Sequence, residues 1–291
     1  MPQTINTNLV SLNAQRNLST SQSSLSTSMQ RLSSGMRVNS AKDDAAGLAI
    51  AERMHTQVRG MNVAMRNAND GISMAQVAEG ALGKASDILQ RMRELTVQAA
   101  NGTNSAEDRT SLNEEFVQLA QEATRTLGGT QFNNTNILAT TNSATFQIGA
   151  NDATNIDQIV VDGFNWAGVT DITALLGTDI LTGATGVPTL QISGTDGAAA
   201  LTALAGIDDA INKINSQRGT FGAVQNRFEN VVATLMVATE NQSAARSRIM
   251  DADYAAETAN MSRAQILQQA GNAMVAQANQ LPQQVLSLLQ R

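Results

Sequence analysis

From Met54 onward the apolar residues Val58, Met61, Met65, Ala68, Ile72 and Ala75 recur every three or four positions. The step meets Glu79, then recovers at Leu82, Leu89 and Met92, and no proline interrupts between Ala41 and Ala100. A repeat averaging 3.5 residues is the seam of a helix laid along other helices. One helix from about Asp43 to Ala100 would run on the order of 85 Å at 1.5 Å per residue. That length exceeds ordinary globular helices and points to a helical rod. Asn101-Gly102 offers a left-handed stop at its end.

A second helix is expected from Ser105, whose hydroxyl and Asp108 three residues on form a capping box. Leu112, Phe116, Leu119 and Ala123 supply its apolar face, and Gly128-Gly129 ends it. A third covers roughly Ile207 to Ile249, with Ile207, Ile211, Ile214, Phe221, Phe228, Val232, Leu235 and Ile249 on one heptad register. Arg218, Gln225, Thr239, Gln242 and Arg246 occupy the remaining register positions, so that seam turns partly polar. Three such faces satisfy one another as an elongated bundle.

Residues 140–200 change character. ATFQIGAN places Phe146 and Ile148 on one side, IDQIVVDGF is β-branched, and PTLQISGTDG alternates Leu190 and Ile192. With Gly, Asn, Asp and Thr as turn residues, a small β region at the far end of the rod is expected.

The two chain ends share a signature. Ile5, Leu9 and Leu12 step by four and three, and Leu18, Leu25 and Leu32 recur every seven residues with Met29 between. The tail carries Leu267, Ala270, Met274, Ala278, Leu281, Val285 and Leu288 at helical spacing, with only Arg263 and Arg291 charged over residues 261–291. In the N-terminal segment Ser, Gln, Asn and Thr fill most of the remaining positions, and the only charged side chain before Arg31 is Arg16. These faces read either as a terminal coiled-coil pair closing a monomer or as surfaces that neighbouring copies of the chain bury, since a nearly uncharged polar face is unusual for a helix left in water.

Composition excludes several functions. Cysteine is absent, so disulfides, thiol chemistry and cysteine metal sites are unavailable. Lys+Arg 19 against Asp+Glu 25 gives a net charge of −6 without a basic stripe, which argues against nucleic acid. No run of 18 apolar residues exists, so no membrane insertion is expected. MPQTINTNLVSLNAQRN has neither the basic nor the apolar region of a secretory signal peptide. His55 is the lone histidine and cannot build an ordinary zinc site without Cys. The carboxylate pairs Asp43-Asp44 and Asp251/Asp253 suit helix capping. No nucleophile–base–orienter set is recognisable, so neither catalysis nor a cofactor is expected.

SLSTSMQRLSSGMRVNSAKDDAAGLAIAERM, NANDGISMAQVAEGAL, LQRMRELTVQAANGT and QFNNTNIL resemble bacterial flagellin, as do QNRFENVV, SRIMDADYAAETANMSRAQILQQAG and QANQLPQQVLSLL. The resemblance covers about 1–140 and 205–291. It implies a mainly α fold: an elongated coiled-coil-like rod with paired terminal helices and a small β-hairpin region at its distal end. Residues 1–42 would be an inner-tube helix pairing with 255–291. Residues 43–140 and 205–254 would build the outer rod, and 141–204 a β-rich region with a short variable insertion. Only about 60 residues separate the matching blocks, too few for the protruding domains of larger flagellins.

The implied function is a structural subunit of the extracellular filament that drives swimming. Its polymerisation seam would comprise Leu9, Leu12, Leu18, Leu25, Leu32, Leu267, Met274, Leu281, Val285 and Leu288. The implied partners are other copies of the chain, an export chaperone at the tail, the flagellar type III export apparatus, and the hook-associated junction and cap proteins. Leu89, Gln90, Arg91, Glu94 and Leu95, with Glu115 on the next helix, match the segment sensed by the vertebrate Toll-like receptor for flagellin. The alternative is a hook-associated junction protein, which shares the terminal heptads but does not usually carry the full LQRMRELTVQAANGT and RIMDADY blocks. A lipid-surface helix would instead need a Lys/Arg-rich polar face, and the tail's polar face is Gln, Ser and Asn.

Overall fold

The computed structural model describes residues 7–138, 143–154, 156–163 and 190–289, and of 281–289 the backbone. The elements in order are α1 (Leu9–Ser34), α2 (Ala45–Ala99), α3 (Ala106–Gly129), β1 (Gln131–Phe132), β2 (Thr135–Asn136), β3 (Ala144–Gln147), β4 (Gln158–Val161), α4 (Ala198–Met250) and α5 (Tyr254–Leu289). The chain divides into two compact units, Met1–Gln57 with Glu240–Arg291, and Val58–Thr239.

In the second unit, one hydrophobic cluster draws on α2, α3, α4 and both hairpins. The heptad positions Ala68, Ala75, Leu82, Leu89 and Met92 of α2 are buried there, as are Phe116 and Leu127 of α3 and Ile207, Ile214, Phe221 and Phe228 of α4. Phe116, Phe221 and Phe228 are among the largest buried side chains, and Phe132 and Phe146 pack against the same cluster, so five of the chain's six phenylalanines serve this core. The two breaks in the apolar pattern meet each other. Glu79 of α2 accepts a hydrogen bond from Gln225 of α4 at 3.0 Å and lies 4.0 Å from Arg218.

The helix ends follow local chemistry. At α3, the Ser105 side chain accepts from the Asp108 amide at 3.1 Å while Asp108 accepts from the Ser105 amide at 3.0 Å, the expected capping box. The α2 helix starts at Ala45, with Asp44 accepting from the Gly47 amide at 2.8 Å. Asp43 instead holds the preceding turn through the amides of Asn39 and Ser40, and these bonds keep its carboxyl below the ordinary carboxylate range.

Three expectations are corrected. Among the described residues positive φ occurs at Gly35, Asn133, Asn134 and Gly194, so Asn101-Gly102 is not a left-handed stop. The end of α2 is closed from outside, by the Arg109 guanidinium on the carbonyls of Ala99 and Asn101 at 2.9 and 3.1 Å. Leu190–Ser193 is not a strand: Ile192 is buried, but its amide donates to the Asn113 side chain at 2.9 Å, which ties the segment to α3 rather than to a sheet. The last long helix of the core begins at Ala198, nine residues before Ile207, because Ala200 and Ala203 are also buried.

Among the described residues the β region is two antiparallel hairpins. β3 and β4 pair Phe146 with Ile159 and Ala144 with Val161. Phe146 meets Phe228 edge to face with centroids 5.4 Å apart, and Asn67 donates to the Gln147 carbonyl at 2.9 Å. A Cβ on Gly60 would lie 2.8 Å from the Ala150 Cβ, so glycine there lets the hairpin end approach α2. The β1–β2 turn is Asn133-Asn134 with φ of 48° and 62°, left-handed values that asparagine tolerates.

Candidate assembly surface

In the first unit, α1 and α5 pair antiparallel. Asn8 at the start of α1 donates to the Ala278 carbonyl at 2.7 Å, whereas Ser28 near its end donates to Glu257 at 2.9 Å. Along this pairing, among the described side chains, the buried ones are small or polar: Ser11 and Ser28 of α1 and Glu257, Ala264 and Ala278 of α5. Leu18, Leu25 and Leu32 are half-buried beside them. A Cβ on Gly271 would come within 3.2 Å of Leu18 Cδ1, so the glycine sets how closely the backbones approach. Ser11 donates to Asn279 at 2.8 Å, and the Tyr254 hydroxyl donates to the Leu32 carbonyl at 3.2 Å.

The joint that feeds this pair is itself bonded. Met36 and Asp251 form an antiparallel bridge, the Arg37 amide donates to the Met250 carbonyl at 2.6 Å, and the Ala252 amide to the Gly35 carbonyl at 2.9 Å. Gly35 takes the left-handed conformation that ends α1. Val38, Ala51 and Met250 form a small apolar cluster under it. Asp253 accepts from the Ala255 and Ala256 amides at the start of α5, a capping role, while Asp251 accepts from the Ser247 hydroxyl.

The larger apolar residues are the ones left over. Leu9, Leu12 and Met29 on α1 and Ile266, Leu267 and Met274 on α5 are all at least half exposed, Leu9 at 68% and Met274 at 61%. Among the described side chains, the stripe expected to be the tail's seam is thus displaced from the one that meets α1, and of it only Ala278 is buried. Small side chains let the two backbones close up, which pushes the bulky residues to the flank. There Val10, Leu18, Leu267, Ala270, Met274 and Ala278 line an apolar groove of about 380 Å³. The side chains of Leu281, Val285 and Leu288 lie outside the described residues, although the helix backbone continues through them.

A second exposed group lies on α2 and α3. Arg91 binds Glu94 at 3.0 Å and Glu115 at 2.9 Å, and Gln90 is exposed beside it. The hydrogen bonds that Arg91 donates to Glu94 and Glu115 raise its pKa further. Leu89 and Leu95 differ from the expectation for a recognition segment: both are 1% exposed and belong to the core, because the heptad seam of α2 passes through them. The folded chain therefore presents Gln90, Arg91, Glu94 and Glu115 and withholds the two leucines.

His55 is half-exposed on α2. Among the described residues no group of three or more His, Asp or Glu side chains could hold a metal ion, and no helix is long and apolar enough to cross a membrane.

Comparison with known proteins places this architecture. The model of the bacterial flagellin N-terminal helical region matches residues 5–143, and that of the C-terminal helical region matches 204–289. A flagellin of Halalkalibacterium halodurans is 43% identical over 98% of this chain and 99% of its own length. The flagellar filament 33 kDa core protein of Treponema phagedenis is 43% identical with the same coverage of each chain. Among solved structures, a protein described as flagellar hook-associated, from Vibrio parahaemolyticus, covers 72% of this chain and all of its own at 11% identity and a TM-score of 0.56, a likeness of fold alone. With both terminal helical regions matched and full-length relatives at this identity, the chain belongs to the bacterial flagellins.

Proposed function

We propose that this flagellin builds the filament by polymerising through α1 and α5, with Leu9, Leu12, Leu18, Leu25, Leu32, Leu267 and Met274 forming the seam together with Leu281, Val285 and Leu288. The observation that carries this reading is the apolar groove beside the α1–α5 pair, which the chain leaves open to water while spending small residues on its internal contact. Its occupant is a second copy of the chain, whose own exposed Leu9, Ile266 and Met274 have the matching chemistry. The role is structural rather than enzymatic, and the subunit works outside the cell. Electron microscopy of purified chain seeded with filament fragments tests this. The unaltered chain should extend the seeds, and L9S/L267S should not, while keeping its helical circular dichroism. Seed extension at equal rate by that variant would overturn the assignment.

The remaining partners are proposed on the same footing: a chaperone covering the tail before export, the flagellar type III apparatus as the route out, and the junction and cap proteins at the filament ends. An exposed apolar stripe on the tail is a premature-association hazard, which is the physical reason to mask it. Replacing Leu281, Val285 and Leu288 by serine should weaken chaperone binding, measured by calorimetry. The exposed Gln90, Arg91, Glu94 and Glu115 cluster supports a secondary role as ligand of the flagellin-sensing Toll-like receptor. Arg91→Glu should lower receptor signalling by the free chain, whereas unchanged signalling would remove Arg91 from that surface.

A further inference from the structure

The chain holds 12 methionines and no cysteine, so methionine thioethers are its readily oxidised sulfur. Met74, Met92 and Met250 are at most 6% exposed, while Met29, Met236 and Met274 are 54%, 60% and 61% exposed. Met274 also lines the apolar groove beside Val10, Leu18 and Leu267.

We propose that Met274 is an oxidation site whose sulfoxide blocks subunit addition, so that peroxide stops filament growth at the free chain. This rests on the assembly reading above. In the reaction the Met274 sulfur attacks one oxygen of a peroxide, its S–O bond forms as the O–O bond breaks, and the other oxygen leaves as water or an alcohol. The sulfur loses two electrons and the peroxide gains them. The product is a strongly polar S–O group in place of a thioether that lies beside Val10, Leu18, Leu267 and Ala270. Burying that S–O group against the apolar residues of a second copy would strip its water and replace an apolar contact by a polar one. The groove's lining is apolar at Val10, Ala14, Leu18, Leu267, Ala270 and Ala278 and polar at Asn13, Asn17, Ser21 and Gln277. In a filament built through this groove Met274 is covered, so the modification acts before assembly and not after it.

The test treats the full-length free chain with limiting hydrogen peroxide, to a mean near one sulfoxide per chain, and maps sulfoxides by peptide mass spectrometry. Met274 should react faster than Met74, Met92 and Met250. The treated chain is then seeded, pelleted and mapped again. Met274 sulfoxide should be about tenfold depleted in the pelleted filaments relative to the supernatant, the effect of burying one polar group in place of an apolar one at a contact. Methionine sulfoxide reductase should return the supernatant chains to the pellet. Equal Met274 sulfoxide in pellet and supernatant overturns the proposal, as does reaction at Met274 no faster than at the buried methionines. Failure of the untreated chain to pellet would instead count against the assembly reading, with the reaction order still deciding whether Met274 is the oxidation site.

Discussion

Arg31 of α1 and Glu257 of α5 join through Nη1 and Oε1 at 3.0 Å across 226 positions of sequence. Glu257 is buried and also accepts from the Ser28 hydroxyl. Burial opposes its ionisation, but the hydrogen bonds from Arg31 and Ser28 outweigh that, and its carboxyl lies below the ordinary glutamate value of 4.5. A depressed folded-state pKa stabilises the pair above the ordinary value, and this stabilisation is lost as pH falls through the folded-state value. The α1–α5 pairing should therefore loosen below pH 4.5, read as amide-exchange protection in α1 corrected for intrinsic rate. Glu257→Gln should cost about 2 kcal/mol at neutral pH and flatten that acid dependence. An unchanged acid slope in the variant would assign the loosening to other carboxylates.

Arg109 gives a second prediction. It is 3% exposed, and besides the end of α2 it donates to the Thr195 carbonyl at 3.0 Å. Lysine has the charge but not the planar fork that reaches several carbonyls at once. Arg109→Lys should destabilise the Val58–Thr239 unit by about 3 kcal/mol in a urea titration, since buried carbonyls lose their donors. A loss near zero would mean that water or a neighbouring group replaces the fork.

The same substitution should have opposite signs at two glycines of α2. A Cβ on Gly71 would stand 2.6 Å from the Phe228 ring, whereas one on Gly80 would meet nothing within 4 Å. Gly71→Ala should cost about 2 kcal/mol through overpacking. Gly80→Ala should stabilise by roughly 0.5–1 kcal/mol through helix propensity. Thermal melts of the two variants check this, and equal shifts would contradict the packing at Phe228.

Ser105→Ala removes half of the α3 capping box and should cost about 1 kcal/mol. The loss should localise to faster amide exchange in the first turn of α3. Asp108, held below the ordinary range by its bonds to Ser105, should titrate at a higher pH in that variant.

Legibility in the sequence followed the range of the physics. The 3.5-residue repeat through Ala68, Ala75, Leu82 and Leu89, the Ser105–Asp108 box and the β-branched QIVV run are settled by neighbours a few positions away, and each is found as an element. The Asn133-Asn134 hairpin turn was equally local, its signal being two asparagines between short polar and apolar runs. Leu190–Ser193 misled because alternation favours an extended chain without supplying a strand to pair with; Asn113 supplied the bond instead.

What the sequence by itself determined is therefore which segments are helical and that both chain ends carry unspent apolar residues. What only the tertiary structure decided is which stripe of each end faces the other. Size decides that choice: Ser11, Gly271 and Ala278 permit a close backbone approach that Leu267 and Met274 would prevent. Periodicity records where apolar residues recur, and the distance between two helices, set by their smallest facing side chains, decides which of them remain open to another copy.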